Sequence, residues 1–344
     1  MKKYGKNIAD VLSVNHYIEN NDQHKLAVNQ IDHIYIYMDK RKTCKICGTK
    51  LENEFALKRY NIQYFLCSCC GHLNGEFEDN DKFAEKVYVN SDKQEKEYAF
   101  KFLEEDIKRY NERVEKIYMP KAQFLKDTLI NENNNIKIVD FGCGAGHLIK
   151  SFMNLGYKNV KGYEVSESQV KYANLINNST VFSYYHIENT IKLIQDISAD
   201  VICLIGVLEH LTQPINVIEA IKANNNIKYV YFSVPLFSLA SLLQTIFPYC
   251  YERQLAGTHT HLFTKESIEY LCKKFHFTVV GEWWFGTDFA DLYRGMLVNS
   301  SKNENYKINE IYSKKYLLNV LDELQLILDK NKICSEVHMI VKNN

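Results

Sequence analysis

The stretch IVDFGCGAGHL, Ile138–Leu148, constrains this chain more than any other. An apolar run ends in Asp140. Gly142, Gly144 and Gly146 then alternate with other residues, and a helical pattern follows, closed by Gly156. Glycines so placed permit positive φ in a sharp strand-to-helix turn and remove the Cβ atoms that would keep a ligand off the backbone. The helix N-terminus beyond the turn stabilises a polar or negative group. Around this turn, β-like runs at 137–141, 160–164, 181–185, 201–205, 229–234, 278–285 and 335–343 alternate with helical patterns. That alternation predicts an α/β fold with a doubly wound, mainly parallel sheet.

Three ligand classes compete for the turn. A phosphate loop requires a Lys-Ser/Thr pair that does not follow here. A dinucleotide fingerprint requires a third glycine three positions beyond the second, where this chain has His147. The spacing present, Asp140-x-Gly142-x-Gly144-x-Gly146, resembles the first motif of the class I S-adenosylmethionine-dependent methyltransferases. Later blocks agree in order: VKGYEVSES, ADVICLIGVLEHLTQP, YFSVP and GTHTHLFTKESIEYLCKKFHF. The resemblance, over about 120–344, implies a seven-stranded Rossmann-like methyltransferase sheet. It implies S-adenosylmethionine contacts at Asp140, Gly142, Gly144, Gly146, Glu164, Val165, Ile187, Glu188 and Gly206. Glu164, at the end of the second strand, would accept the ribose hydroxyls, and Ile187 and Glu188 would flank the adenine. Tyr88 and Tyr98 resemble tyrosines that close over the donor in related enzymes, against a reading as ordinary amphipathic packing.

A second signal lies upstream. Cys44/Cys47 and Cys67/Cys70 are two C-x-x-C knuckles with nineteen residues between them, each followed by glycine. Four thiolates at that spacing close a tetrahedral Zn²⁺ site and leave no position for a substrate, so the expected zinc is structural. The expected organisation is an N-terminal segment (1–40), a zinc ribbon (41–80), a helical linker or lid (81–130) and the methyltransferase domain (131–344). A helix is expected at Ile8–Tyr17 and a strand at His33–Met38. Helices are expected from Ser91, interrupted at Pro120 and resuming as KAQFLKDTLI.

A zinc ribbon before such a domain resembles two groups: sugar C-methyltransferases with related natural-product enzymes, and ribosomal RNA methyltransferases. The 42 basic and 42 acidic residues cancel, which supplies no overall field to attract nucleic acid or an anionic membrane and leaves only local patches. A small-molecule or sugar-linked acceptor, as in polysaccharide biosynthesis, is the preferred expectation. This chain departs from the sugar enzymes in lacking their C-terminal domain. The alternatives are the RNA enzyme and a non-catalytic S-adenosylmethionine-binding scaffold. Proton removal from an acceptor suits an imidazole, and His210, His259 and His261 stand where the resemblance puts the active-site edge. Each could equally be a hydrogen-bonded structural residue. The insert Pro235–Gly257 is long for a strand–helix connection and reads as a lid, an acceptor pocket or a homodimer face. No run approaches the about 20 apolar residues of a membrane span, and the N-terminus has no signal-like core. The expected location is therefore the cytoplasm, where ten cysteines read as thiols or metal ligands.

Overall fold

The computed structural model describes residues 4, 7–52, 54–89, 104–132, 135–302 and 306–344. The chain divides into two compact units that share the sequence in alternating pieces. The first comprises Met1–Phe83, Val234–Tyr270 and Trp284–Val337. The second comprises Ala84–Ser233, Leu271–Trp283 and His338–Asn344.

The first unit opens with helices Ile8–Asn15 and Asn21–Tyr35. The second helix replaces the strand expected at His33–Met38. The short alternation Ile34, Ile36, Met38 misleads. The longer run Val28, Ile31, Ile34 and Tyr35 has the 3.6-residue period, and it decides. Tyr35, 1% exposed, anchors the helix end through its hydroxyl, which donates to the Phe77 carbonyl at 2.7 Å. Next come three short antiparallel strands, β1 (Leu57–Arg59), β2 (Ile62–Leu66) and β3 (Leu73–Gly75), in that spatial order.

The insert 235–257 packs into this unit. Helix Leu239–Ile246 starts with a capping box between Ser238 and Ser241, and Cys250, Tyr251, Glu252, Gln254 and Leu255 are buried. Its anchor is Asp288, at zero exposure. That carboxylate accepts from the Ser238 hydroxyl (2.6 Å), the Ala240 amide (3.0 Å), the Gln325 side-chain amide (3.1 Å) and the Ser335 amide (3.0 Å). Helix Asp288–Ser300 places its apolar side, Ala290, Tyr293 and Leu297, against Ile8, Leu12 and Leu321.

The second unit is built on seven strands: β4 (Ile138–Phe141), β5 (Val160–Glu164), β6 (Phe182–Tyr184), β7 (Val201–Ile205), β8 (Tyr229–Pro235), β9 (Thr278–Phe285) and β10 (Glu336–Lys342). Their spatial order is β6-β5-β4-β7-β8-β10-β9, and the pairs β4–β5, β4–β7, β5–β6 and β7–β8 are parallel. The doubly wound sheet matches the expected architecture. Its central strands are continuous apolar runs because both faces are covered; Val201, Ile202, Cys203 and Leu204 all show zero exposure. The order reverses at β4, whose neighbours β5 and β7 lie on opposite sides. Such a switch opens a crevice at the carboxyl ends of the strands, where ligands bind in this architecture.

Pro120 starts a helix (Met119–Thr128) at its first turn, preceded by a π-helical turn at Val114–Tyr118 and helix Glu104–Arg113. At that position a missing N–H costs nothing. The expected helical run begins at Ser91; 90–103 lie outside the described residues.

Replacing Asp288 by alanine strands four buried donors. Since each orphaned donor costs about 1–3 kcal/mol, Asp288→Ala should lower stability by roughly 3–5 kcal/mol, measured as a fall in the denaturant midpoint. A midpoint within error of the parent would remove Asp288 as the anchor.

Candidate functional site

The turn after β4 is pinned to β5 by two amides: Gly142 and Cys143 both donate to the Tyr163 carbonyl, at 2.8 and 3.0 Å. Gly142, Gly144 and Gly146 all hold positive φ, at 74°, 51° and 80°. Their separate reasons differ. A Cβ on Gly142 would meet Val207 at 2.7 Å, and one on Gly146 would meet the Phe182 ring at 2.5 Å. Gly146 therefore serves packing of the start of helix His147–Asn154 against β6. Gly144 faces open space except for Gln169 at 3.1 Å, as a glycine kept bare for a ligand should.

Beside the turn lies a pocket of about 290 Å³ within the second unit. Asp140, Gly142, Cys143, Gly144 and Ala145 form one wall, Ile205 and Gly206 another, and Arg113, Tyr118, His147 and Gln169 complete it. Gly206 repeats the device of the glycine turn after β7, with φ 69° and its amide donating to the Ser233 hydroxyl at 3.1 Å.

Glu164 stands behind the turn. Its Oε2 accepts the Gly144 amide at 2.8 Å, and its Oε1 accepts the amides of Val165 and Ser166 at 2.8 and 3.1 Å. The carboxylate expected to hold a ribose thus also braces the glycine turn. A carboxylate has about four acceptor sites, so capacity for one further hydroxyl remains.

Asp140 is wholly enclosed. Burial first, and then the Glu164 charge, push its carboxyl up to about 8, with Lys121 opposing. A cation entering the pocket would draw that value down again. His147 opens the helix beyond the turn and stacks between two rings: Tyr110 at 4.4 Å and 24°, Tyr118 at 5.0 Å and 12°. Burial, helped by Arg113, holds its imidazole down at about 3. The ring is neutral and acts as the middle of an aromatic sandwich. Arg113, Tyr118 and Gln169 are pocket residues that motif reading missed. They come from the helical segment and from the helix after β5, which carry no signature beyond amphipathic spacing.

Ile187 and Glu188 form a 3₁₀ turn after β6 and are exposed; neither lines the pocket. His210 ends the 3₁₀ turn Leu208–His210 directly after β7, beside buried Glu209, whose Oε1 lies 3.7 Å from where a Cβ on Gly206 would sit. The Tyr88 side chain and Tyr98 lie outside the described residues.

In the first unit, His259 Nδ1 bonds the Gln254 carbonyl at 3.2 Å, and burial with the Arg253 charge holds its imidazole down at about 4. A group with that value is a weak base at neutral pH. His261, at zero exposure, bonds His72 at 2.9 Å. That places it in a buried network beneath the cysteine knuckles, together with Asp79, which also takes Lys45, Arg41 and the Thr260 hydroxyl. The geometry gives His261 a structural part.

The cysteines converge. The Sγ atoms of Cys44, Cys47, Cys67 and Cys70 lie within 4.8 Å of one another, with Cys44–Cys70 at 3.5 Å and Cys47–Cys67 at 3.4 Å. Zn–S bonds of about 2.3 Å put tetrahedral sulfurs about 3.8 Å apart, close to those separations. Gly48 and Gly71 hold φ of 76° and 70°, and their amides donate to the carbonyls of Cys44 and Cys67, the first cysteine of each knuckle. Among the described residues the donor set therefore fits one tetrahedral metal ion.

Comparison with known proteins places these features. Residues 110–282, half of the 344-residue chain, match the model of a family described as a methyltransferase domain. Two ubiquinone biosynthesis O-methyltransferases are similar. The mitochondrial one of Dictyostelium discoideum is 26% identical over 131 residues, 34% of this chain and 37% of its own. That of Shewanella sp. (strain ANA-3) is 29% identical over 134 residues, 36% of this chain and 55% of its own. The matches thus span between a third and somewhat over half of these relatives. Among solved structures, magnesium protoporphyrin IX methyltransferase from Synechocystis PCC 6803 with bound SAH covers 76% of this chain and 97% of its own. It does so at 11% identity and a TM-score of 0.43.

A side chain at Gly144 would be strained at φ 51° and would put its bulk where the backbone is bare. In calorimetric titration, Gly144→Asp should weaken S-adenosylhomocysteine binding by at least roughly 100-fold, about 2.7 kcal/mol; unchanged affinity would remove this pocket as the donor site. Asp140 gives a pH test. Its folded value exceeds its ordinary 3.8, so its contribution is full below about pH 4 and is lost as pH rises to about 8. Relative to Asp140→Asn, the parent should lose up to about 1.4 kcal/mol per pH unit across that window and nothing more above it. Paired thermal scans read the difference, and a flat difference from pH 4 to 8 contradicts the raised value.

Proposed function

This chain belongs to the methyltransferase-domain family, and from that premise we propose that it transfers the methyl group of S-adenosylmethionine to a small-molecule acceptor. The acceptor class we favour is a nucleotide sugar, glycan or natural-product intermediate. The observation that carries the reading is the pair of bare-backbone turns, at Gly142–Gly144 and Gly206, facing one pocket at the switch point of the sheet. A donor without phosphates needs close backbone approach more than a charged cradle. Arg113 is a cation on the pocket wall suited to the donor's carboxylate, and Glu164 retains one acceptor site for a ribose hydroxyl.

Methyl transfer is an in-line displacement at the sulfonium carbon: the acceptor atom forms the new bond as the sulfur takes the electron pair. The protein's task is to align the two and, for a hydroxyl, to receive a proton. His210, at the strand end nearest the second glycine turn, is the imidazole we assign to that task. His259, held neutral at about 4, fits hydrogen bonding better than proton removal. The balanced charge and the similarity to O-methyltransferases of ubiquinone biosynthesis favour a small acceptor over RNA.

We assign the four-cysteine cluster to structural zinc. Cys44, Cys47, Cys67 and Cys70 would fill all four positions, and the ion would supply folding energy to a three-stranded ribbon too small for a core of its own.

Two measurements test the reading. Methyl-labelled S-adenosylmethionine incubated with a panel of nucleotide sugars should pass label to at least one, and His210→Ala should slow that transfer by about 10²–10⁴-fold with donor affinity kept. Transfer to ribosomal RNA and to no sugar would reverse the acceptor class. Elemental analysis of freshly purified protein should find one zinc per chain, lost in Cys47→Ser together with ribbon stability; zinc-free protein would overturn the metal assignment.

A further inference from the structure

Helices Leu239–Ile246, Asp288–Ser300 and Tyr306–Tyr312 of the first unit border a groove of about 520 Å³. Phe247, Met296, Ile308 and Tyr312 supply its apolar lining. The apolar surface continues along the chain. Ile308, Tyr312, Tyr316 and Val320, each four residues from the last, are 63%, 58%, 53% and 43% exposed. The rings of Tyr312 and Tyr316 touch, with centroids 5.3 Å apart. Beside Phe247, Ile246 is 62% exposed.

This is not the side that makes the core. Leu317, Leu318, Leu321 and Leu324 pack inward against Ile8, Leu12, Tyr293 and Leu297. The segment therefore has one apolar face buried in the unit and a second in water. A contiguous exposed patch of large apolar side chains marks a docking surface.

Its charge selects the occupant. Residues 302–316 carry four lysines and two glutamates, a net +2. Lys314 pairs with Glu310 at 2.6 Å. Lys302, Lys307 and Lys315 have no carboxylate partner among the described residues; the Lys315 ammonium sits over the Tyr316 ring at 5.1 Å. A second copy meeting this face about a twofold axis would bring Lys307 and Lys315 of both copies together, while Glu310 is already engaged by Lys314. An anionic lipid surface complements them. Lysines reach its headgroups, tyrosines prefer the water–lipid boundary, and isoleucines enter the first part of the acyl layer.

We propose that the face formed by Phe247, Met296, Ile308, Tyr312 and Tyr316, with Lys307 and Lys315 at its edge, docks on an anionic membrane surface. The contact is peripheral: no helix among the described residues is long and apolar enough to cross a membrane. None of these residues lines the pocket beside the glycine turn, so the inference stands apart from the proposed chemistry.

The test is co-sedimentation of the full chain with phosphatidylcholine vesicles, with and without phosphatidylglycerol, at low and high salt. Binding should require phosphatidylglycerol and fall with salt. Lys307→Gln and Lys315→Gln should each weaken it roughly fivefold. Ile308→Glu should abolish it, with S-adenosylhomocysteine titration unchanged as the check on folding. Absence of binding to anionic vesicles, or binding indifferent to these substitutions, overturns the proposal. So does a doubled mass by light scattering that Ile308→Glu returns to the monomer without any vesicle binding, because the face is then a contact between copies.

Discussion

Three amides converge on the Glu164 carboxylate, and the second unit's binding site depends on that convergence. The Gly144 amide reaches it from one turn, and Val165 and Ser166 reach it from the next. A buried carboxylate that accepts several backbone N–H groups holds both turns in place. The positive φ at Gly142, Gly144 and Gly146 lets the chain leave β4 and enter a helix within six residues, and the carboxylate fixes where that exit points. Because β4 lies at the switch in strand order, the same exit lines a crevice. The acid's observed task is to brace the turn that lines the pocket.

The first unit is organised by buried charge of a different kind. Asp288 gathers four donors. Asp291 holds Arg253 at 2.7 Å and Arg294 at 3.0 Å, and Asp79 holds Lys45 and Arg41. Apart from Asp291–Arg294, which lie on one helix, these pairings draw together segments separated in sequence. Isolated, such charges would be prohibitive in an interior; paired and hydrogen-bonded, they are tolerated and fix register. The cysteine cluster rests on this network. Lys45 lies between Cys44 and Cys47, and His72, two residues past Cys70, bonds His261.

Much of the sheet was legible as short runs between helical patterns, unbroken and buried in Val201–Ile205, alternating in Val160–Glu164 and largely exposed in Thr278–Phe285. Val160–Glu164, Val201–Ile205 and Thr278–Phe285 form with the expected ends. His33–Met38 misled because six alternating residues match a strand when the preceding turn of helix is left out of the window. The insert 235–257 read as a lid, an acceptor pocket or a homodimer face because its length is unusual. Its buried Tyr251, Glu252 and Leu255 tie part of it into the first unit, where Asp288, some fifty residues later, holds its first helix. His261 read as a candidate base because histidine near a strand end invites that reading; its partner His72 lies 189 residues away in sequence.

By itself the sequence determined the class of fold, the glycine turn after β4 and the four cysteines that converge. Each depends on residue types at short spacings, where local geometry leaves few alternatives. Tertiary structure alone decided which glycine faces the open pocket and which faces Phe182, and that His147 is a stacked neutral ring. It also decided that Arg113 reaches the pocket and that Ile308, Tyr312 and Tyr316 remain in water. Those outcomes depend on contacts between segments distant in the chain, and periodicity carries no information about which of two apolar faces a helix will bury.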